Sequence, residues 1–137
     1  MTSVAPATTV KRSAVTRGVT GLFSAALVLV VLQGLWAGMF IAHDSELWVF
    51  VHGRGAEAAI LTAGVATVLA FWKLRSHRSL WVVGAVFTAI LVLISFIGGL
   101  ITDNGMDSLI PVHVPLAMAS LLLGTWLVVT SLRSERV

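Results

Sequence analysis

Charged residues fall along the chain at intervals that leave long apolar runs between them. Arg17 to His43 encloses 25 residues with no charge or histidine, Arg78 to Asp103 another 24, and Asp107 to Arg133 another 25 without a charge. At ~1.5 Å of rise per residue, each run is long enough for a helix to cross a hydrocarbon core of ~30 Å. The remaining run, 15 uncharged residues between Glu57 and Lys73, is shorter. It becomes a span only if its helix opens near Phe50, which puts His52, Arg54 and Glu57 in the first turns. The pattern predicts helices over about residues 20–42, 50–72, 80–102 and 111–132. The loops between them are short, so sequential helices are expected to be antiparallel neighbours. The fold class expected is all-α, a transmembrane antiparallel four-helix bundle. Residues 1–15, rich in Thr, Ala and Ser, read as a disordered cytoplasmic tail, and residues 16–137 as the four-helix transmembrane domain. Basic residues precede the first run, but that run is too long for a signal-peptide core and is expected to stay in the chain.

The pattern also repeats. A shift of 61 residues lays His52 on His113 without a gap, with Leu32 on Leu93, Gly38 on Gly99, Glu46 on Asp107, Val51 on Val112 and Ala56 on Ala117. Conservative pairs lie between them, Ala37 on Gly98, Met39 on Leu100 and Val49 on Ile110. Self-similarity at a fixed offset means one structural unit used twice. The unit here is a helix carrying small residues, a short loop, and a helix opening with histidine. The bundle is therefore expected to consist of two tandem helix-hairpin repeats.

Composition agrees with a membrane chain: 58% of residues are hydrophobic, 11% are charged, and mean hydropathy is +0.99. Charge placement sets an orientation. Lys11, Arg12 and Arg17 precede the first helix, Lys73, Arg75 and Arg78 join the second to the third, and Arg133 and Arg136 follow the fourth. Asp44, Glu46, Asp103 and Asp107 occupy the other two loops. Positive residues stay cytoplasmic, so both termini are expected inside a cell (plasma) membrane crossed several times. The sequence pI of about 10.7 is then a topology signal and does not point to nucleic acid. The partner it implies is the lipid bilayer. With no cysteine in the chain, disulfides, thiolate ligands and covalent haem attachment are excluded.

His52 and His113 are the residues that can carry chemistry. Ionisable groups near or inside a membrane are costly and are functional candidates by default. Neutral imidazole is a metal ligand. A zinc or copper site wants three or four protein donors, and no third histidine or cysteine stands at matching depth. Haem iron asks the protein for one or two. A pair of repeat-equivalent histidines fits axial ligation of a haem b, although each alone reads as an interfacial residue bonded to backbone. Gly34, Ala37 and Gly38 in the first helix, with Ser95, Gly98 and Gly99 in the third, either pack helices tightly or clear space for a flat macrocycle. Ala56, Ala59 and Ala63, and Ala117, Ser120 and Gly124, continue below each histidine on its own face. Arg54 can pair with a haem propionate or with Glu57 three residues on. Gln33 is a membrane-embedded polar group needing a partner, as helix-helix glue before any pocket role. His43, Asp44 and Glu46 read as a solvated loop, and His77 as a surface residue. Pro111 and Pro115 bracket His113 in what is expected to be a proline-tolerant first turn.

The stretches LQGLWAGMFIAHDSELWVFVHGRGA (Leu32 to Ala56) and LISFIGGLITDNGMDSLIPVHVPLA (Leu93 to Ala117) resemble the helix, outer loop and histidine-opened helix of the haem A synthase family. Members of that family have eight helices in two four-helix repeats, and this chain is similar to one repeat. The resemblance implies His52 and His113 as axial haem ligands at the outer face, and a homodimer as in single-repeat relatives. From the residues themselves, Gly38 and Gly99 are expected at the cofactor and Arg54 toward it, and a larger respiratory membrane complex is the other assembly expected. The chain departs from the family's pattern: Val49 stands where catalytic members carry glutamate, the loop cysteine pair is absent, and a His-Arg adjacency becomes His52-Gly53-Arg54. These departures weigh against oxygenase chemistry more than against haem binding. Three functions follow: a bis-histidine haem b protein for electron transfer or haem holding; a reduced haem A synthase-like oxidoreductase assisted by Glu46 or Asp44; and a cofactor-free accessory or scaffold subunit packing through its glycine faces.

Overall fold

The computed structural model describes residues 14–134, and among them it is helical throughout apart from short connections. The helices are α1 (Ala14–His43), α2 (Glu46–Lys73), α3 (Arg78–Asn104) and α4 (Ile110–Ser134), the last preceded by a single 3-10 turn over Asp107–Leu109. All of the predicted tail up to position 13 lies outside the described residues, while Ala14 and Val15 are already helical. Four helices are long and apolar enough to cross a membrane.

Each helix overruns its predicted apolar run and stops at a local signal. Asp44 ends α1 with a positive φ of 45°, a conformation that aspartate tolerates better than most residues. Ser45 then sits extended at the N-cap of α2, so this helix starts at Glu46, four residues before the expected Phe50. Gly105 ends α3 in the left-handed region at φ 65°. Its N–H and that of Met106 bond the Ile101 and Leu100 carbonyls at 3.1 and 3.2 Å, which satisfies helix-end acceptors. Pro115 corrects the expectation of a proline confined to the first turn. It lies inside α4, because that helix opens at Ile110 and the residue it would otherwise bond, Pro111, is already helical.

α1 packs on α2 and α4, and α3 on α2 and α4, so the helices close a ring. The buried positions of α2 are Gly55, Ala59, Ala63, Ala66 and Ala70, every one of them small. Its large residues face out: Leu61 is 69% and Trp72 62% exposed, and Phe96 on α3 and Leu122 on α4 are similar. A soluble bundle buries large apolar side chains; here small ones let backbones approach while the large ones meet lipid. Hydroxyls in the spans bond their own helix, as Thr62, Thr67 and Thr88 do with the carbonyls four residues back, at 2.7, 2.8 and 2.9 Å.

One half of the ring interior is filled and the other is not. Val19, Phe23, Leu80, Phe87 and Leu127 are fully buried toward the Lys73–Arg78 connection. Phe23 rests on Gly84, and Phe87 on Gly124, where an added Cβ would come within 3.1 and 3.3 Å of the respective rings. Gly124, expected in a strip below His113, therefore receives a phenyl ring of the packed half. Ala63 belongs to the same filled core. At the opposite end the interior opens.

Candidate functional site

That opening is a cavity of about 730 Å³, lined from all four helices. The volume falls in the range of small-molecule and cofactor pockets. Its walls come from the C-terminal parts of α1 and α3 and the N-terminal parts of α2 and α4. Small side chains make the space: Gly34, Ala37, Ala56, Ala59, Ser95, Gly98, Gly99, Ala117 and Ser120 all line it. The larger lining residues, Phe40 and Phe50 among them, leave the cavity open between them.

His52 and His113 both line this cavity. Neither is at the very start of its helix: the early opening of α2 puts His52 in the second turn, and His113 follows the 3-10 turn by one turn of α4. His52 Nδ1 lies 3.2 Å from the Gln33 carbonyl oxygen on α1. Its ring also meets Phe40 edge-on, with centroids 5.6 Å apart. His113 Nδ1 is buried with no hydrogen-bond partner. Gly98 lies behind this ring, where an added Cβ would be 3.2 Å from His113 Cε1. The residue one repeat offset from Gln33 is Ile94, so the two histidines meet different side chains at that register position.

The Gln33 side chain also engages α2. Its amide oxygen accepts from the Ala56 N–H at 3.0 Å, while its NH₂ lies 3.0 Å from both the His52 carbonyl oxygen and His52 Nδ1. That orientation is the one which pairs each amide atom with an opposite partner. Gly55 makes the approach possible: a Cβ there would overlap the Trp36 ring and crowd the Gln33 amide. Sequence reading singled out Gln33, but not Gly55, Trp36 or Phe40. The repeat could not have found Gly55, because its equivalent position holds Leu116.

Arg54 lines the cavity and bonds Glu57 at 2.7 Å, with its guanidinium 5.6 Å above the Phe50 ring. Gly99 lines the cavity beside Asp103, whereas Gly38 is exposed, does not line it, and has open space where a Cβ would stand. Asp103 and Thr102, bonded to each other at 3.1 Å, sit at the rim unannounced by the sequence pattern. His43, Asp44 and Glu46 are exposed and lie outside the lining; His77, expected at the surface, is half-buried and also lies outside it. Among the described residues, no three His, Asp or Glu side chains gather as metal donors.

The imidazoles of His52 and His113 are the groups of this cavity that could hold a metal, bare or carried in a ring of its own. A bare ion would find two imidazoles and little else. A macrocycle supplies four donors, needs a cleared apolar slot, and uses an imidazole whose second nitrogen is held by a backbone carbonyl. Nδ1–H donation from His52 to the Gln33 carbonyl would leave Nε2 with its lone pair free. Comparison with protein-family models, curated proteins and solved structures finds no match to this chain.

Proposed function

We propose that this chain is a membrane haem b protein whose axial ligands are His52 and His113, serving electron transfer or haem holding. The observation that carries this reading is the shared cavity: two repeat-equivalent imidazoles line one slot bordered by small residues. Gly98, Gly99, Ala56 and Ala117 leave the slot open, and Arg54 at its rim is placed to trade Glu57 for a propionate. Bound there, haem would supply one-electron redox chemistry, while the protein sets ligands, dielectric and access.

The antiparallel bundle of two tandem hairpins belongs to the same proposal. Its support is that the cavity takes the end of α1 and α3 but the start of α2 and α4. Helix boundaries follow the offset too: α1 ends at His43 and α3 at Asn104, α2 opens at Glu46 and the 3-10 turn at Asp107. The basic connection lies at the filled end, so the positive-inside rule places the cavity at the outer face with both termini cytoplasmic. Oxygenase chemistry of the haem A synthase kind gains no support from Glu46 or Asp44, which lie outside the cavity lining.

The test is an optical spectrum of detergent-purified protein from haem-sufficient cells. A Soret band, with an alpha band that sharpens on dithionite reduction, is expected, and both His52→Ala and His113→Ala should abolish the low-spin spectrum. A colourless protein at full haem supply would overturn the reading.

A further inference from the structure

The nitrogen of His52 that faces α1 has two partners with opposite demands, and both belong to Gln33. The backbone carbonyl, 3.2 Å away, can only accept and favours a proton on Nδ1. The side-chain NH₂, 3.0 Å away, can only donate and favours a bare Nδ1. Turning the amide over would relieve this conflict only by setting its oxygen against the His52 carbonyl and its nitrogen against the Ala56 N–H, each at 3.0 Å. Gly55 leaves the room in which the Gln33 amide and the Trp36 ring approach α2.

With the amide seated, a protonated Nδ1 would face a second donor across 3.0 Å, so in the empty site the neutral ring is expected to carry its proton on Nε2. That tautomer has no lone pair toward a metal. Once Nε2 ligates, the proton has to reside on Nδ1 and bond the carbonyl, and the amide must withdraw. His113 has no such device, because Ile94 stands at the position equivalent to Gln33 and carries no amide.

We propose that Gln33 is a tautomer latch on His52, a positioning residue that holds the imidazole in its non-ligating form until the cofactor arrives and then accepts the Nδ1 proton through its carbonyl. Only the functional consequence rests on the haem reading. The latch itself is a property of the protein without cofactor.

Histidine-selective ¹⁵N NMR of the cofactor-free full chain in lipid nanodiscs, with His52 and His113 assigned by substitution of each, tests it directly. In the unsubstituted protein, His52 should show a pyridine-like Nδ1 and a pyrrole-like Nε2. Gln33→Leu, which keeps the carbonyl and removes the donor, should exchange the two signals, and so should Gln33→Glu, whose carboxylate can only accept. His113 should be unmoved in both. Titrated with haemin, Gln33→Leu should bind roughly threefold to tenfold tighter, the span of one neutral hydrogen bond released. A pyrrole-like Nδ1 on His52 in the unsubstituted protein would overturn the latch, as would two variants that leave the tautomer unchanged or weaker haemin binding by Gln33→Leu. Absence of haemin binding in every form would defeat the proposed function and leave the tautomer assignment to the NMR result alone.

Discussion

The ring of Phe23 sits on Gly84, the residue exactly one repeat offset further along the chain: a Cβ at Gly84 would come within 3.1 Å of the ring and 2.7 Å of Thr67 Oγ1. Thr67 cannot easily yield, since its hydroxyl donates to the Ala63 carbonyl at 2.8 Å. Overpacking of this kind costs about 1–3 kcal/mol, more than the ~0.5–1 kcal/mol that Ala gains over Gly in a helix. Gly84→Ala is therefore expected to lower the thermal unfolding midpoint in detergent. Gly64→Ala, whose Cβ would meet only Thr88 at an ordinary 3.9 Å, is expected to leave it unchanged or raise it. Equal behaviour of the two variants would contradict the packing of the filled half.

How much of this was legible beforehand follows from which physics each feature depends on. Span length and helix number are set by runs between charges, so four helices could be read from Arg17, His43, Arg78, Asp103, Asp107 and Arg133. Helix ends depend on local backbone geometry, and a turn as short as Asp44-Ser45 left no apolar signature, so α2 opens earlier than the hydropathy pattern indicates. The approach of His52 and His113 to one cavity was implied by the repeat. Roles of glycine were not separable from sequence: Gly98 backs His113, Gly84 and Gly124 receive phenyl rings, and Gly38 faces open space. Small size is the same signal in all these cases, and only the neighbours distinguish them. Gly55 was invisible because its partner Trp36 belongs to another helix and neither follows the offset.

Gly98 and Gly38 therefore give opposite expectations, although the glycines expected at the cofactor were Gly38 and Gly99. A Cβ on Gly98 would press within 3.2 Å of His113 Cε1, displacing the ring or the α3 backbone behind it. Gly98→Ala should shift or broaden the reduced alpha band and weaken haemin binding by roughly tenfold, the equivalent of ~1.4 kcal/mol at a strained contact. Gly38→Ala should leave both unchanged. A spectrum perturbed by Gly38→Ala and indifferent to Gly98→Ala would place the slot elsewhere.

The ion pair at the cavity rim is expected to matter little for stability. Arg54 and Glu57 are 63% and 50% exposed, so the 2.7 Å bond between them is made largely in solvent. Exposed pairs three or four residues apart on a helix contribute about 0.3–0.5 kcal/mol, and less as salt rises. Arg54→Ala should shift the unfolding midpoint of the cofactor-free protein only slightly, with the difference shrinking in high salt. If Arg54 exchanges Glu57 for a propionate when haem binds, the same variant should show a larger change in haemin affinity than in cofactor-free stability. Matching small changes in both would leave Arg54 as a solvated residue bonded to Glu57.

Topology can be tested cleanly because the chain has no cysteine of its own. Asp107 opens the turn before α4 at the cavity end, while Arg75 lies in the connection between α2 and α3 at the filled end. Both positions are exposed, so a thiol at either would be reachable from its own side. The basic cluster Lys73, Arg75 and Arg78 resists translocation, and the acidic loops carry no comparable barrier. In intact cells, a membrane-impermeant maleimide should label Asp107→Cys and spare Arg75→Cys until the membrane is opened. The reverse pattern would turn the cavity toward the cytoplasm, and haem would then have to reach His52 and His113 from that side.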